Sequence, residues 1–163
     1  MNQEKLRDHD REAPHSHLIQ GLSPVIFILI IILDSVVFQW STMLSNFIPF
    51  LVRIILLITF LSFAILLIQL SHKTLFHENN PSNTLITSGI LRYVRNPMYL
   101  GILMIYIAFI CFSLSLIALV LFIMIFILYN RLVNYEENIL EQLFGEDYLK
   151  YKQKVPKWIP TLF

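Results

Sequence analysis

Two clusters of polar residues in this sequence could carry chemistry. The first is TSGILRYVRNPMYLG at residues 87–101, where Arg92 and Arg95 precede Asn96-Pro97. A proline suits the first turn of a helix, because its missing N–H has no partner there. We therefore predict a helix that begins at Pro97 with Asn96 near its cap. The exposed N–H groups of this turn, beside Arg95, could bind an anion, or they could serve only in capping and interfacial anchoring.

The second cluster covers the end of the last apolar segment and the tail, and Glu136 is its anomalous residue. A helical repeat places Glu136 on one face with four apolar residues: Leu132, Ile139, Leu140 and Leu143. Glu137, the next residue, lies off this face of the helix. A buried carboxylate without a partner is costly, so we expect Glu136 to have a cationic or N–H partner. Two interpretations stay open: a salt bridge to Arg92 or Arg95, or a carboxylate that holds a cationic ligand group.

Other kinds of site are not indicated. The histidines lack metal-ligand spacing with a carboxylate or Cys, so we predict no metal. The sequence has no glycine-rich phosphate loop and no nucleophile-elbow serine. A net charge of +1 does not suggest nucleic acid. Lys150, Lys152 and Lys154 alternate with tyrosines, which favours a surface segment that faces anionic lipid.

The segments that must position these clusters have membrane composition. Of 163 residues, 56% are hydrophobic and 14% are charged, against about 25% charged in an average soluble domain. The apolar runs predict spans at about 24–44, 48–70, 97–112 and 115–131, with the break between the last two at Ser113-Leu114-Ser115. The final helix should continue beyond the membrane to Gly145 as its C-cap.

We therefore predict an all-α integral membrane helical bundle of about four transmembrane helices. A polar tail would occupy 1–22, and a membrane domain 23–163, of which 132–163 form a cytoplasmic helix extension and tail. Lys and Arg cluster at both ends and between spans two and three, which predicts cytoplasmic N- and C-termini. The first apolar segment is too long for a signal-peptide core, so we expect it to be a retained span.

Two charges fall inside the predicted spans. Asp34 lies near the middle of span one, and Arg53 lies about a turn inside span two. A structural ion pair would make both tolerable, and we expect that pairing. A role of the two residues in substrate binding is the alternative.

Taken together, NTLITSGILRYVRNPMYLG and EENILEQLFGEDYLKYKQKVPKWIP resemble the isoprenylcysteine carboxyl methyltransferase family and, more broadly, the membrane phospholipid methyltransferases. The resemblance covers roughly residues 76–160. It implies a membrane enzyme that uses S-adenosylmethionine on the cytoplasmic side, in the bacterial inner membrane or the endoplasmic reticulum. The cofactor contacts it implies are Asn83, Thr84, Leu85, Ile86, Asn96, Pro97, Met98, Tyr99 and Glu136.

The sequence departs from the family pattern at several of these positions. Better-known members carry His where this chain has Asn83 and Asn96, and Asn can still donate and accept. An aromatic residue expected at position 91 is Leu91 here, and Tyr93 could substitute for it. A substrate-side arginine of some members falls at Leu132.

The resemblance also implies roles for charged residues. Glu136 would hold the ammonium group of the cofactor. Arg95 and the N–H groups of the third helix would hold the carboxylate of the cofactor. Arg131, beside Leu132, would act toward the acceptor, so Arg95 and Arg131 are the implied catalytic residues. The acceptor would be lipidic or hydrophobic, either an isoprenylcysteine-like carboxylate or a phospholipid amine, and would enter from the membrane lipids. Alternatives are an NADPH-dependent membrane reductase and a non-catalytic membrane protein of the same fold.

Overall fold

Proline, serine and glycine mark several of the helix limits in this protein. A computed structural model describes residues 16–75 and 84–160, and every regular element within them is helical. These elements are α1 (Ser16–Ile32), which continues as a π-helical turn (Leu33–Phe38), a 3₁₀ turn (Met43–Asn46), α2 (Phe50–Leu75), a 3₁₀ turn (Gly89–Arg92), α3 (Pro97–Ser113), α4 (Leu116–Phe144) and α5 (Glu146–Lys154). The all-α fold class is confirmed.

Three helical segments are long and apolar enough to cross a membrane: Leu18–Phe38, Phe50–Leu75 and Leu116–Phe144. Pro97–Ser113 is a shorter apolar helix. Large apolar side chains stay exposed along the outer faces of α1, α2 and α4, which suits contact with lipid. The bundle of three to four apolar helices agrees with a membrane protein, while the side of the membrane on which the termini lie stays a prediction.

The helical run that contains most of the first predicted span, 24–44, has other limits than that span. α1 includes the residues from Ser16 onward, so that Pro24 lies inside the helix. The helical run ends at Phe38 because Gln39 adopts the left-handed conformation with φ 52. The whole span is therefore shifted toward the N-terminus, and Asp34 lies in its last turns rather than near its middle.

The predicted helix-terminating signals are confirmed. Asn96 is the N-cap of α3, with Pro97 in the first helical turn. Leu114 has φ 54 and ends α3. Ser115 is the N-cap of α4, and its Oγ accepts a hydrogen bond from Ala118 N at 2.9 Å. Gly145, with φ 53, ends α4. The tight turn at 113–115 makes α3 and α4 an antiparallel hairpin.

Close contact between α2 and α3 depends on a small residue. A Cβ on Gly101 would lie 3.1 Å from Ala64 O and 2.7 Å from Ile68 Cγ1, so glycine allows the two helices to approach. On the other side of α3, side chains of α1, α3 and α4 form the main core. The start of α3 and the part of α4 beyond residue 131 are thereby brought to the same end of the bundle.

The predicted ion pair between Asp34 and Arg53 is wrong. The Asp34 carboxylate accepts from Ser41 N at 3.0 Å, from Ser41 Oγ and from Ser115 Oγ at 2.5 Å. Arg53 Nε instead donates to Phe112 O at 2.6 Å, and its guanidinium lies 5.4 Å from the centre of the Phe112 ring. Because α1 ends early, Asp34 reaches the turn between α3 and α4, where hydroxyl groups satisfy it.

Candidate active site

The two predicted polar clusters meet where α3 begins and α4 leaves the apolar core. Asn96 Nδ2 donates to Glu137 Oε1 at 2.9 Å. Arg95 Nε lies 3.4 Å from the same oxygen. Tyr99 Oη donates to Glu136 Oε1 at 2.5 Å. The first turn of α3 and the paired glutamates of α4 therefore form one site.

The more buried of the two acids is Glu137, not Glu136. Glu137 is 4% exposed, whereas Glu136 is only half-buried. The salt bridge considered for Glu136 is made by Glu137 to Arg95. The signal that the sequence analysis missed is the spacing of four residues through the buried side chains of Ile125, Tyr129, Val133 and Glu137. On the predicted face Leu132 is buried, but Ile139, Leu140 and Leu143 are only half-buried.

Arg95 ties three parts of the chain together. Its side chain is 9% exposed. Its backbone N donates to Pro156 O at 3.0 Å, and its Nη1 donates to Lys152 O at 3.4 Å. Its Nε is within ion-pair distance of Glu137 but has no hydrogen-bond partner among the described residues. A buried guanidinium needs a counter-charge, and Glu137 supplies that charge for Arg95.

α5 and the segment after it cover this end of the bundle. Tyr151 Oη donates to Leu91 O at 2.6 Å, and burial raises the pKa of Tyr151 to about 12. Tyr148 is buried, while Lys150 and Lys154 are exposed. The predicted surface tract therefore packs its tyrosines inward and exposes only part of its lysines.

The chain then runs back along α4. Lys157 Nζ donates to Asn130 Oδ1 at 2.8 Å and to Asn134 Oδ1 at 2.6 Å. Trp158 Nε1 donates to Asn130 Oδ1 at 3.2 Å. Burial lowers the pKa of Lys157. These bonds hold the C-terminal segment against the same helix that carries the two glutamates.

The remaining predicted site residues lie at varied depths. Pro97 is buried, Met98, Leu85 and Ile86 are half-buried, and Thr84 is exposed. Asn83 lies outside the described residues. Leu91 is 6% exposed, so the position where an aromatic residue was expected faces inward, whereas Tyr93 is 40% exposed. Arg131 is exposed and lies beside buried Leu132.

Two polar residues of α1 were not singled out by the sequence analysis. Gln20 Nε2 donates to Tyr99 Oη at 3.2 Å. Ser23 Oγ is hydrogen-bonded to Tyr106 Oη at 2.9 Å and to Tyr129 Oη at 3.0 Å. The spacing of Gln20, Ser23 and Phe27 could have identified this face, because residues three and four apart are neighbours on a helix.

An open cleft of about 650 Å³ lies beside the site rather than in it. Its lining comes from the end of α2 and the turn before α3: Leu70, Lys73, Thr74, Ser88, Gly89, Ile90, Arg92 and Tyr93. A Cβ on Gly89, which has φ +60, would lie 2.6 Å from Thr74 Oγ1. The candidate site is therefore assigned from the side-chain chemistry around the glutamates. Within the described ranges, no group of three or more His, Cys, Asp or Glu could hold a metal ion.

Comparison with known proteins gives consistent matches. The family model of the phospholipid methyltransferases matches residues 50–147, which contain α2, α3 and α4. A protein-S-isoprenylcysteine O-methyltransferase from Xenopus laevis is 36% identical over 89 residues, 53% of this chain and 30% of the relative. Protein-S-isoprenylcysteine O-methyltransferase B from Arabidopsis thaliana is 33% identical over 79 residues, which are 47% of this chain and 39% of the relative. A protein-S-isoprenylcysteine O-methyltransferase from Schizosaccharomyces pombe is 29% identical over 86 residues, 52% of this chain and 36% of the relative. The chain thus spans well under half the length of these relatives.

Proposed function

Because the chain belongs to the phospholipid methyltransferase family, we propose that it transfers a methyl group from S-adenosylmethionine to a lipidic or hydrophobic acceptor. The proposed acceptors are an isoprenylcysteine-like carboxylate, which would undergo O-methylation, and a phospholipid amine, which would undergo N-methylation. The observation that supports the proposal best is the meeting of Glu136 and Glu137 with the first turn of α3. There, a charged site adjoins helices with apolar outer faces.

The residues present fit the charges of the cofactor. S-adenosylmethionine carries an ammonium group and a carboxylate, and it supplies a methyl group activated on a sulfonium. Glu137 is already neutralised by Arg95 and held by Asn96. Glu136 is half-buried and oriented by Tyr99, which suits it to hold the ammonium group. We propose cofactor contacts at Asn83, Thr84, Leu85, Ile86, Asn96, Pro97, Met98, Tyr99 and Glu136.

The contribution of the protein to such a reaction is alignment. Methyl transfer is a displacement in line, in which the reacting atoms must be held about 3–3.5 Å apart. The ion-pair contact of Arg95 with Glu137 and its hydrogen bond to Lys152 O fix the start of α3 against α4 and α5. We propose that Arg95 keeps this geometry and attracts the cofactor's carboxylate. Arg131, which is exposed near the end of the apolar part of α4, would act toward an anionic acceptor.

The acceptor is proposed to enter from the bilayer. The exposed apolar faces of α1 and α4 support this route, since a prenyl or acyl chain could stay in lipid while its polar end reaches the site. The basic segments of the sequence favour the cytoplasmic side for the site. The membrane would be the bacterial inner membrane or the endoplasmic reticulum.

Calorimetric titration of S-adenosylmethionine into detergent-purified protein tests the proposal. Wild type should bind saturably, and Glu136→Gln should lose most of the affinity, because the amide cannot neutralise an ammonium group. Glu146→Gln, at an exposed acid of α5, is the matched control and should bind like wild type. Folded wild type without binding would refute the cofactor assignment, and stabilisation by NADPH would favour a reductase. Transfer of a labelled methyl group to a prenylated cysteine or to phosphatidylethanolamine would then distinguish the two acceptors.

A further inference from the structure

Helix α1 reaches the candidate site through the side chain of Gln20. Gln20 Nε2 donates to Tyr99 Oη at 3.2 Å, and that hydroxyl donates to Glu136 Oε1 at 2.5 Å. α1 lies outside residues 50–147, which match the family model. The family match therefore assigns no role to this helix.

The chemistry of the three groups fixes the direction of these hydrogen bonds. A tyrosine hydroxyl has one proton, whereas an ionised carboxylate can only accept. If the amide oxygen of Gln20 faced Tyr99, it would compete with Glu136 for that proton. When Nε2 of Gln20 faces the hydroxyl, the tyrosine proton is left for Glu136. Each hydrogen-bond donor then faces an acceptor.

α1 is held in the register that this contact requires. One turn along from Gln20, Ser23 is hydrogen-bonded to Tyr106 and Tyr129. A further turn along, the ring of Phe27 packs edge-on against Tyr106 with 4.7 Å between the ring centres. Phe27 is 1% exposed. Gln20 is therefore presented from a helix face that is anchored on both α3 and α4.

We propose that Gln20 is a positioning residue for Glu136. By donating to Tyr99, it directs the tyrosine proton to the carboxylate and fixes the orientation in which Glu136 would hold an ammonium group. The inference rests on the proposed function, because the group to be held is that of S-adenosylmethionine. It makes α1 a part of the cofactor site.

A double-mutant cycle on cofactor affinity tests this role. Full-length wild type, Gln20→Leu, Tyr99→Phe and the double mutant are titrated with S-adenosylmethionine in lipid nanodiscs. A hydrogen bond to a charged group predicts a loss of roughly tenfold or more for Tyr99→Phe, and we expect about three- to tenfold for Gln20→Leu. Since Gln20 acts through Tyr99, the double mutant should bind no more weakly than Tyr99→Phe alone. Gln20→Glu should also weaken binding, because its carboxylate would compete for the tyrosine proton.

Gly21→Ala is the matched control. It changes the residue of α1 next to Gln20 at a position where an added Cβ has nothing within 4 Å, so its effect should be small and should add to that of Tyr99→Phe. Additive losses for Gln20→Leu and Tyr99→Phe would overturn the positioning role and leave the methyltransferase proposal intact. Folded wild type that does not bind S-adenosylmethionine would refute the proposed function itself. If Gln20→Leu does not fold, Gln20→Glu decides the question, and wild-type affinity in that variant overturns the inference.

Discussion

The ion pair between Arg95 and Glu137 should be worth far more to stability than another acid–base pair of the same helix. Both of its side chains are at most 9% exposed, so neither charge is solvated if the other is removed. Glu137→Gln keeps the size of the side chain and an acceptor for Asn96, but it leaves the guanidinium of Arg95 without a counter-charge. Loss of one partner of a buried pair costs about 3–5 kcal/mol.

The lower end of that range is expected here. Arg95 Nε is 3.4 Å from the carboxylate without hydrogen-bond geometry, and the bond from Asn96 persists in the variant. We therefore expect Glu137→Gln to lower the free energy of unfolding by about 3 kcal/mol. Glu141→Gln, one turn along, breaks a pair with Lys152 whose side chains are 36% and 37% exposed. Such a pair should be worth at most about 1 kcal/mol.

Reversible unfolding of the purified protein in mixed micelles by increasing sodium dodecyl sulfate measures both variants. The double variant Arg95→Met/Glu137→Gln removes both charges. It should be at least about 2 kcal/mol more stable than the sum of the single effects predicts. A Glu137→Gln variant as stable as Glu141→Gln, or additive effects in the double variant, would refute the reasoning that the buried charges depend on each other.

Three further predictions follow from packing, turn chemistry and titration. Gly101→Ala should destabilise the protein by about 1–3 kcal/mol in thermal unfolding, because the added Cβ would lie 3.1 Å from a backbone oxygen of α2. Gly21→Ala is its control and should be neutral or stabilising, because the added Cβ has nothing within 4 Å. Asp34→Asn should be destabilising because the carboxylate accepts from three groups. Exchanging Asp34 with Arg53 should also leave the protein less stable than wild type in the same assay. An exchanged variant as stable as wild type would contradict the hydroxyl contacts. Burial raises the pKa of Tyr151 from 10.0 to about 12, so its contribution to stability should be complete below pH 10 and lost as the pH rises toward 12. When unfolding is followed against pH, Tyr151→Phe should reduce the fall in stability above pH 10, and buried Tyr148, whose pKa is also raised, should account for part of what remains.

Local backbone chemistry made several parts of the fold predictable. The start of α3 at Asn96-Pro97 and the end of α4 at Gly145 depend on residues with restricted or unusual backbone preferences. The end of the first helical run was not predictable in this way. Gln39 is not a residue that marks a left-handed turn, and the apolar run continues beyond it. Hydropathy alone therefore extended the span to residue 44.

Side-chain pairing was harder to predict than helix limits. Opposite charges suggested that Asp34 pairs with Arg53, but two serines far apart in the sequence provide the hydroxyls that satisfy Asp34. The choice between Glu136 and Glu137 depended on which face of α4 meets α1 and α3, and that face is set by tertiary packing. The resemblance pointed to Glu136 and the start of α3, whereas the contribution of Gln20 required the position of a helix outside the matched region.

The contact between Ser23 and Tyr129 joins residues 106 positions apart, and this separation affects how the protein is made. At about 5–20 residues per second, translation needs roughly 5–20 s to proceed from one residue to the other. During that interval α2 and α3, which are close in sequence, can already pair across Gly101. α1 must meanwhile stay in the bilayer without its contacts to α4, which its apolar segment Leu18–Phe38 is long enough to do. Assembly of the site is therefore completed only after the last long helix has been synthesised.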